Sequence, residues 1–129
     1  MYKRQAINCS AESNKVAILY SDVMLEHRTG ENHPEKPERL SSAVSAVKKN
    51  KALSKHFIWP TISKASNDHI RLAHTDDYIN LVKSEVERLD GDQQVLLSTG
   101  DVVISKDSDE AARFAVGAGI AGILSLIHI

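Results

Sequence analysis

At 129 residues, with 42% hydrophobic and 26% charged side chains, the chain fits one globular domain with a modest core and excludes disorder as its default state. A formal charge of −1 excludes a field that would draw it to nucleic acid or to an anionic membrane. A single cysteine, Cys9, excludes an internal disulfide, and a reducing cytoplasm is the compartment expected from it.

In chain order, Lys15–Tyr20 (KVAILY) is a short apolar run with β-branched residues and predicts a buried strand, parallel to its neighbour. The loop that follows, from Glu26 to Leu40 (EHRTGENHPEKPERL), carries two histidines and two prolines ahead of a helical stretch. Pro37 sits where a helix begins, and Leu40, Ala43, Val44 and Val47 recur at helical spacing before Lys48 and Lys49 close the last turn. His56–Ile62 (HFIWPTI) predicts a second strand that Pro60 confines to an edge or an end. Ser66 predicts the cap of a short helix over Asn67–Ala73. Thr75 with Asp76 and Asp77 opens another, with Ile79, Val82, Val86 and Leu89 on one face and Gly91 as its stop. The stretch Asp90–Asp107 is polar and glycine-broken around a small strand at Val102–Ile104. Asp107 and Glu110 have capping-box spacing, and a helix of small residues continues over Ala111–Ile123. Alternating strands and helices predict an α/β layer architecture.

The last apolar run, from Phe114, is shorter than the ~20 residues a bilayer needs, so no membrane span is expected. Met1–Ser10 lacks the apolar core of a signal peptide. The two ends also share a peculiarity of coding. Leu124-Ser-Leu-Ile-His-Ile129 can be encoded by CTG TCT CTT ATA CAC ATC, and the reverse complement of its first five codons reads GTG TAT AAG AGA CAG. With GTG as a start codon, that is Met1-Tyr-Lys-Arg-Gln5. The word resembles a transposon end used in shotgun library preparation, so residues 1–5 and 124–129 are expected to be adapter translation and residues 6–123 natural sequence.

Gly117-Ala-Gly119-Ile-Ala-Gly122 matches G-x-G-x-x-G, but it falls within a helical pattern with no strand before it, so it reads as close helix packing. His27 and His33 could approach one metal ion, yet no carboxylate or cysteine at a helical offset completes a ligand set, and they read as hydrogen-bonders that order the loop. His69 and His74 lie near helix ends and read as structural or solvated. Arg39, preset by Pro37, can aim its five-donor fork into a pocket, or it is a solvated first-turn charge that does not suit the helix dipole. Both readings of Arg39 stand on these grounds.

Tyr20-Ser-Asp-Val-Met-Leu-Glu-His27, His33-Pro-Glu-Lys-Pro-Glu-Arg-Leu40, Ala73-His-Thr-Asp-Asp-Tyr-Ile79, Gly100-Asp101 and Asp109-Glu-Ala-Ala112 together resemble the N-terminal part of the histone deacetylase superfamily. Within it they are most similar to the class II and bacterial branch of acetoin-utilisation proteins and acetylpolyamine amidohydrolases. One departure is Ser21, where many relatives carry aspartate. The resemblance implies a three-layer parallel α/β sheet of the arginase–deacetylase type, of which residues 6–123 hold only the first strands and helices. It implies a zinc-dependent hydrolase of acetylated lysine or acetylpolyamine, with zinc held by the parent protein and not by this chain, and with neither nucleic acid nor membrane as partner. The family's paired catalytic histidines and Asp-x-His zinc ligands have no counterpart within residues 6–123. By the same resemblance Arg39 lines the acetate channel, His27 and His33 belong to the first active-site loop, and Asp101 is a rim contact for substrate. Two alternatives remain: a complete small α/β ligand-binding module, and a manganese-dependent ureohydrolase of arginase type, against which the HPEKPERL loop argues.

Overall fold

The computed structural model describes residues 15–127. Strand β1 (Val16–Ala17) lies parallel to β2 (Phe57–Ile58), with Val16 opposite Phe57 and Ala17 opposite Ile58. Val16 N–H donates to the His56 carbonyl and Ile18 N–H to the Ile58 carbonyl, both at 2.8 Å. Location and direction match the expectation from the apolar runs, but the ladder is far shorter. Pro60 has no N–H to extend β2, and past Tyr20 the chain turns into a short 3-10 helix at Asp22–Glu26, whose Val23 N–H donates to the capping Ser21 hydroxyl. The expected burial of β1 also fails at its start: Val16 is 56% exposed, because a two-stranded parallel sheet leaves a face uncovered.

Helix α1 (Pro37–Lys49) begins with proline in its first turn, where the missing N–H costs no hydrogen bond. Its apolar stripe is only half covered, and no residue of the helix is buried. A one-turn helix, α2 (Lys51–Ser54), follows because the Asn50 side chain accepts from Ala52 and Leu53 N–H; the sequence reading did not anticipate it. Ser66 caps α3 (Asn67–Ile70) reciprocally: its hydroxyl accepts from His69 N–H and the His69 ring accepts from Ser66 N–H, both at 3.3 Å. His69 is thus a capping residue, and the helix stops three residues short of the predicted Ala73. Thr75 caps α4 (Asp76–Glu87) through Tyr78 N–H, with Ile79 and Val86 buried. Gly91, with φ +56, turns the chain in the left-handed region just beyond that helix.

β3 (Val95–Leu96) and β4 (Val103–Ile104) form an antiparallel hairpin closed by Leu97 N–H to the Val102 carbonyl at 2.8 Å. The second strand was predicted and the first was not. Helix α5 (Ser108–Ile127) carries the rest of the chain and runs past residue 123 without a break. The predicted Asp107–Glu110 capping box is absent. Glu110 turns instead to the Lys64 ammonium at 3.1 Å, and Ser108 takes the Ser105 N–H at 2.8 Å.

Two small cores result. Val86, Leu89, Leu97 and Ile104 pack between α4 and the hairpin, with Tyr78 and Val82 against them. Ile62, Ala118 and Ala121 pack under α5, with Leu19, Met24 and Phe114. The glycine motif belongs to this second core: a Cβ on Gly117 would come within 1.9 Å of the Ser63 carbonyl oxygen and one on Gly122 within 3.1 Å of Leu19, whereas Gly119 faces open space. Helix α5 therefore lies flush on the extended segment before α3, and Ala65 N–H donates to the Arg113 carbonyl at 2.9 Å.

Candidate functional site

The loop between the 3-10 helix and α1 closes on itself through side chains. The Thr29 hydroxyl, buried, donates to the Glu35 carbonyl at 2.5 Å, and the Glu35 N–H donates to His33 Nδ1 at 3.0 Å. His33 N–H returns to the Gly30 carbonyl at 3.2 Å, across a turn that Gly30 permits with φ +97. Because His33 Nδ1 accepts, the proton of the neutral ring sits on Nε2. Arg39 then reaches back to the Pro34 carbonyl at 3.2 Å and to the Glu35 carboxylate at 2.7 Å. The proline-spaced run is thus a self-laced cap over the start of α1.

A second set of bonds pins the loop to the rest of the molecule. Arg28 N–H donates to Ser105 Oγ at 3.0 Å, and His27 Nδ1 lies 2.8 Å from Ser108 Oγ. The two serines are themselves 3.1 Å apart, and Ser105 Oγ donates to the Glu26 carbonyl at 3.3 Å. The Arg28 guanidinium spans Glu26 and Asp92 on the surface. Burial lowers the pKa of His27, nearby His33 lowers it further, and Glu35 opposes both, so the half-buried ring is held neutral.

His27, His33, Arg39 and Asp101 all line one groove of about 720 Å³. Arg39 stands on its wall with 63% of the side chain exposed, held by Glu35. Asp101 is exposed, in the turn of the hairpin. Met24, His27, Leu40 and Val102 are shared with an adjoining cavity of about 520 Å³, whose far wall is apolar, from Ile79, Val82, Leu97 and Ile104. A polar, mixed-charge groove therefore leads past His27 into an apolar space. Such a shape suits a ligand with an apolar stem and a polar end.

The sequence reading missed the residues that hold this arrangement: Thr29, Ser105, Ser108 and the Arg28–Asp92 pair. The one local signal was two serines three apart ahead of a helix, and the nearby Asp107–Glu110 spacing drew attention away from it. Among the described residues no three His, Cys, Asp or Glu side chains converge where a metal ion could sit. His27 and His33 each use Nδ1 within the protein, to Ser108 and to the Glu35 N–H, and two imidazoles without a third donor do not make a zinc-binding set among the described residues. Among the described residues no helix is long and apolar enough to cross a membrane.

Residues 33–129 match the histone deacetylase domain. The chain is 33% identical over 107 residues to histone deacetylase 5 of Arabidopsis thaliana, an alignment that covers 80% of this chain and 16% of that protein. It is 31% identical over 83 residues to type-2 histone deacetylase 1 of Dictyostelium discoideum, covering 64% of this chain and 6% of the relative. An uncharacterized protein of Synechocystis is 31% identical over 111 residues, 84% of this chain and 34% of its own length. The chain spans about a third or less of each of these relatives. The family match takes in the HPEKPERL loop, the hairpin and the whole of α5, and by it this chain belongs to the histone deacetylase family.

Proposed function

We propose that this chain is the N-terminal part of a zinc-dependent deacetylase of the class II and bacterial branch, which hydrolyses the amide of acetylated lysine or of an acetylpolyamine. The observation that carries the reading is the convergence of His27, His33, Arg39 and Asp101 on one groove that opens into an apolar cavity, in a chain of this family. An acyl-lysine or acylated amine has the required form, an apolar methylene stem between polar ends. In this reading the self-laced loop is one wall of the substrate passage. Arg39 serves the departing acetate, and Asp101 at the rim receives the polar backbone or ammonium of the substrate.

The zinc of such an enzyme, which would polarise the acetyl carbonyl, would be held by residues of the parent protein and not of this chain, and the remaining strands of a three-layer arginase–deacetylase sheet would stand there too. Residues 1–5 and 124–129 are, on the coding symmetry of the two ends, adapter sequence; residues 1–5 lie outside the described residues. In this reading the chain by itself is inactive.

The test is to extend the reading frame past Ile123 at its source locus and assay the longer protein, loaded with zinc, on an acetyl-lysine peptide and on acetylputrescine. Release of acetate by the longer protein and none by this chain is the expected result. A longer protein that binds zinc and cleaves neither substrate overturns the reading, as does a stop codon directly after Ile129 in genomic DNA.

A further inference from the structure

Among the described residues Lys48 is an ammonium with no carboxylate partner, held against two aromatic faces. Its Nζ lies 5.0 Å from the ring centroid of Trp59 and 5.7 Å from that of Tyr20. The two rings meet edge to face, centroids 6.4 Å apart and planes at 84°, so their faces form an open corner and not a stack. Three separate stretches build it: the chain just after β1, the end of α1 and the chain just after β2. The Tyr20 hydroxyl donates to Asp22 Oδ1 at 2.7 Å, which fixes the ring and sets a carboxylate beside the corner. Burial and that hydrogen bond push the Tyr20 phenol up to about 12, so the ring stays neutral and electron-rich at every ordinary pH. Trp59 remains 37% exposed, which leaves a way in.

We propose that the Tyr20–Trp59 corner is a binding site for a quaternary ammonium group, with the Lys48 ammonium as its resident stand-in. Aromatic faces attract a cation most when it is weakly hydrated, and methyl groups on nitrogen keep the charge while removing its bound water. A lysine ammonium is strongly hydrated and sits on a flexible four-carbon stem, so it yields the corner to a better ligand. Perpendicular ring faces with a nearby carboxylate offer contact on two sides and a counter-charge on a third. The inference is independent of the deacetylase reading, since it is tested by binding alone.

Trp59 is the single tryptophan of the chain, so its fluorescence reports this corner without interference. The full chain carrying Lys48→Met is titrated with tetramethylammonium chloride, ionic strength being held constant with sodium chloride. A saturable change is expected, roughly three-fold weaker in the unsubstituted chain, where Lys48 competes. It should survive Tyr20→Phe, which keeps the ring, and vanish in Tyr20→Ala. An equal response to sodium, or a full response in a Tyr20→Ala chain that retains its far-UV dichroism, overturns the site. If Tyr20→Ala does not fold, ring-proton shifts of Tyr20 and Trp59 in Lys48→Met decide: movement of both on adding tetramethylammonium supports the site, and movement of neither overturns it. Choline and a trimethyl-lysine peptide then separate the sources, tighter binding of the peptide assigning a methylated protein and tighter binding of choline a small molecule.

Discussion

His27 sits half-buried between the loop and α5, bonded to Ser108 and close to His33. Its folded pKa is below the ordinary 6.5, so the unfolded chain binds the extra proton more readily. Its contribution to stability is therefore present above pH 6.5 and is lost as the pH falls through the lower folded value. Denaturation midpoints followed from pH 8 to pH 5 should show this slope, and His27→Gln, which keeps a hydrogen-bonding side chain without the titration, should flatten it. Arg39 gives the opposite expectation. Its exposed pair with Glu35 adds little to stability, so Arg39→Ala in the longer enzyme should leave the melting temperature unchanged. Turnover should fall more than KM rises, as measured by steady-state kinetics, if the arginine serves acetate departure. Unchanged turnover would remove that role.

The elements differ in how openly the sequence announces them. Helix starts were legible because each depends on one local residue: Pro37 for α1, Ser66 for α3 and Thr75 for α4. Thr75→Ala should accordingly cost about 1 kcal/mol by urea denaturation. Within α5 the glycines separate cleanly. Gly117→Ala drives a Cβ into the Ser63 carbonyl and should destabilise by about 2 kcal/mol or more, whereas Gly119→Ala meets open space and should stabilise by about 0.5–1 kcal/mol through helix propensity. Equal effects at the two positions would show that the motif does not pack as described. Strands were less legible. β3 lies in a polar, glycine-broken stretch, and only its pairing with β4 makes Val95 and Leu96 a strand. The apolar run of β1 promised six residues and pairs two, because ladder length is decided by neighbours that local pattern does not encode. The candidate site follows the same division. Its four named residues came from motif resemblance, while Ser105 and Ser108 join stretches some eighty residues apart and leave no periodic trace.

For the whole molecule, the telling quantity is what stays uncovered. Val16, Leu53, Leu96, Val102, Val116 and Ile123 are each more than 40% exposed, α1 buries none of its residues, and among the described residues no large side chain is fully buried. Apolar faces left open on this scale drive association. This chain alone should elute as oligomers in size-exclusion chromatography with light scattering and bind a hydrophobic dye, and the longer protein should run as a discrete species with the dye signal gone. A monomeric, dye-silent chain would show that the open faces are tolerated. A parallel strand and an all-round apolar helix both need cover on more than one side, which is why β1 and α5 are among the open faces.

Ala65 belongs to no helix or strand, yet it is 3% exposed and its amide is bonded to the Arg113 carbonyl in the second turn of α5. Deuterium from solvent can replace that proton only when the extended segment lifts off the helix. Ala65 therefore acts as a clock for one particular event, the parting of the second core, and small fluctuations of the surrounding loop do not advance it. Its exchange rate, set beside those of the α4 amides, would tell whether the two cores open together or one at a time.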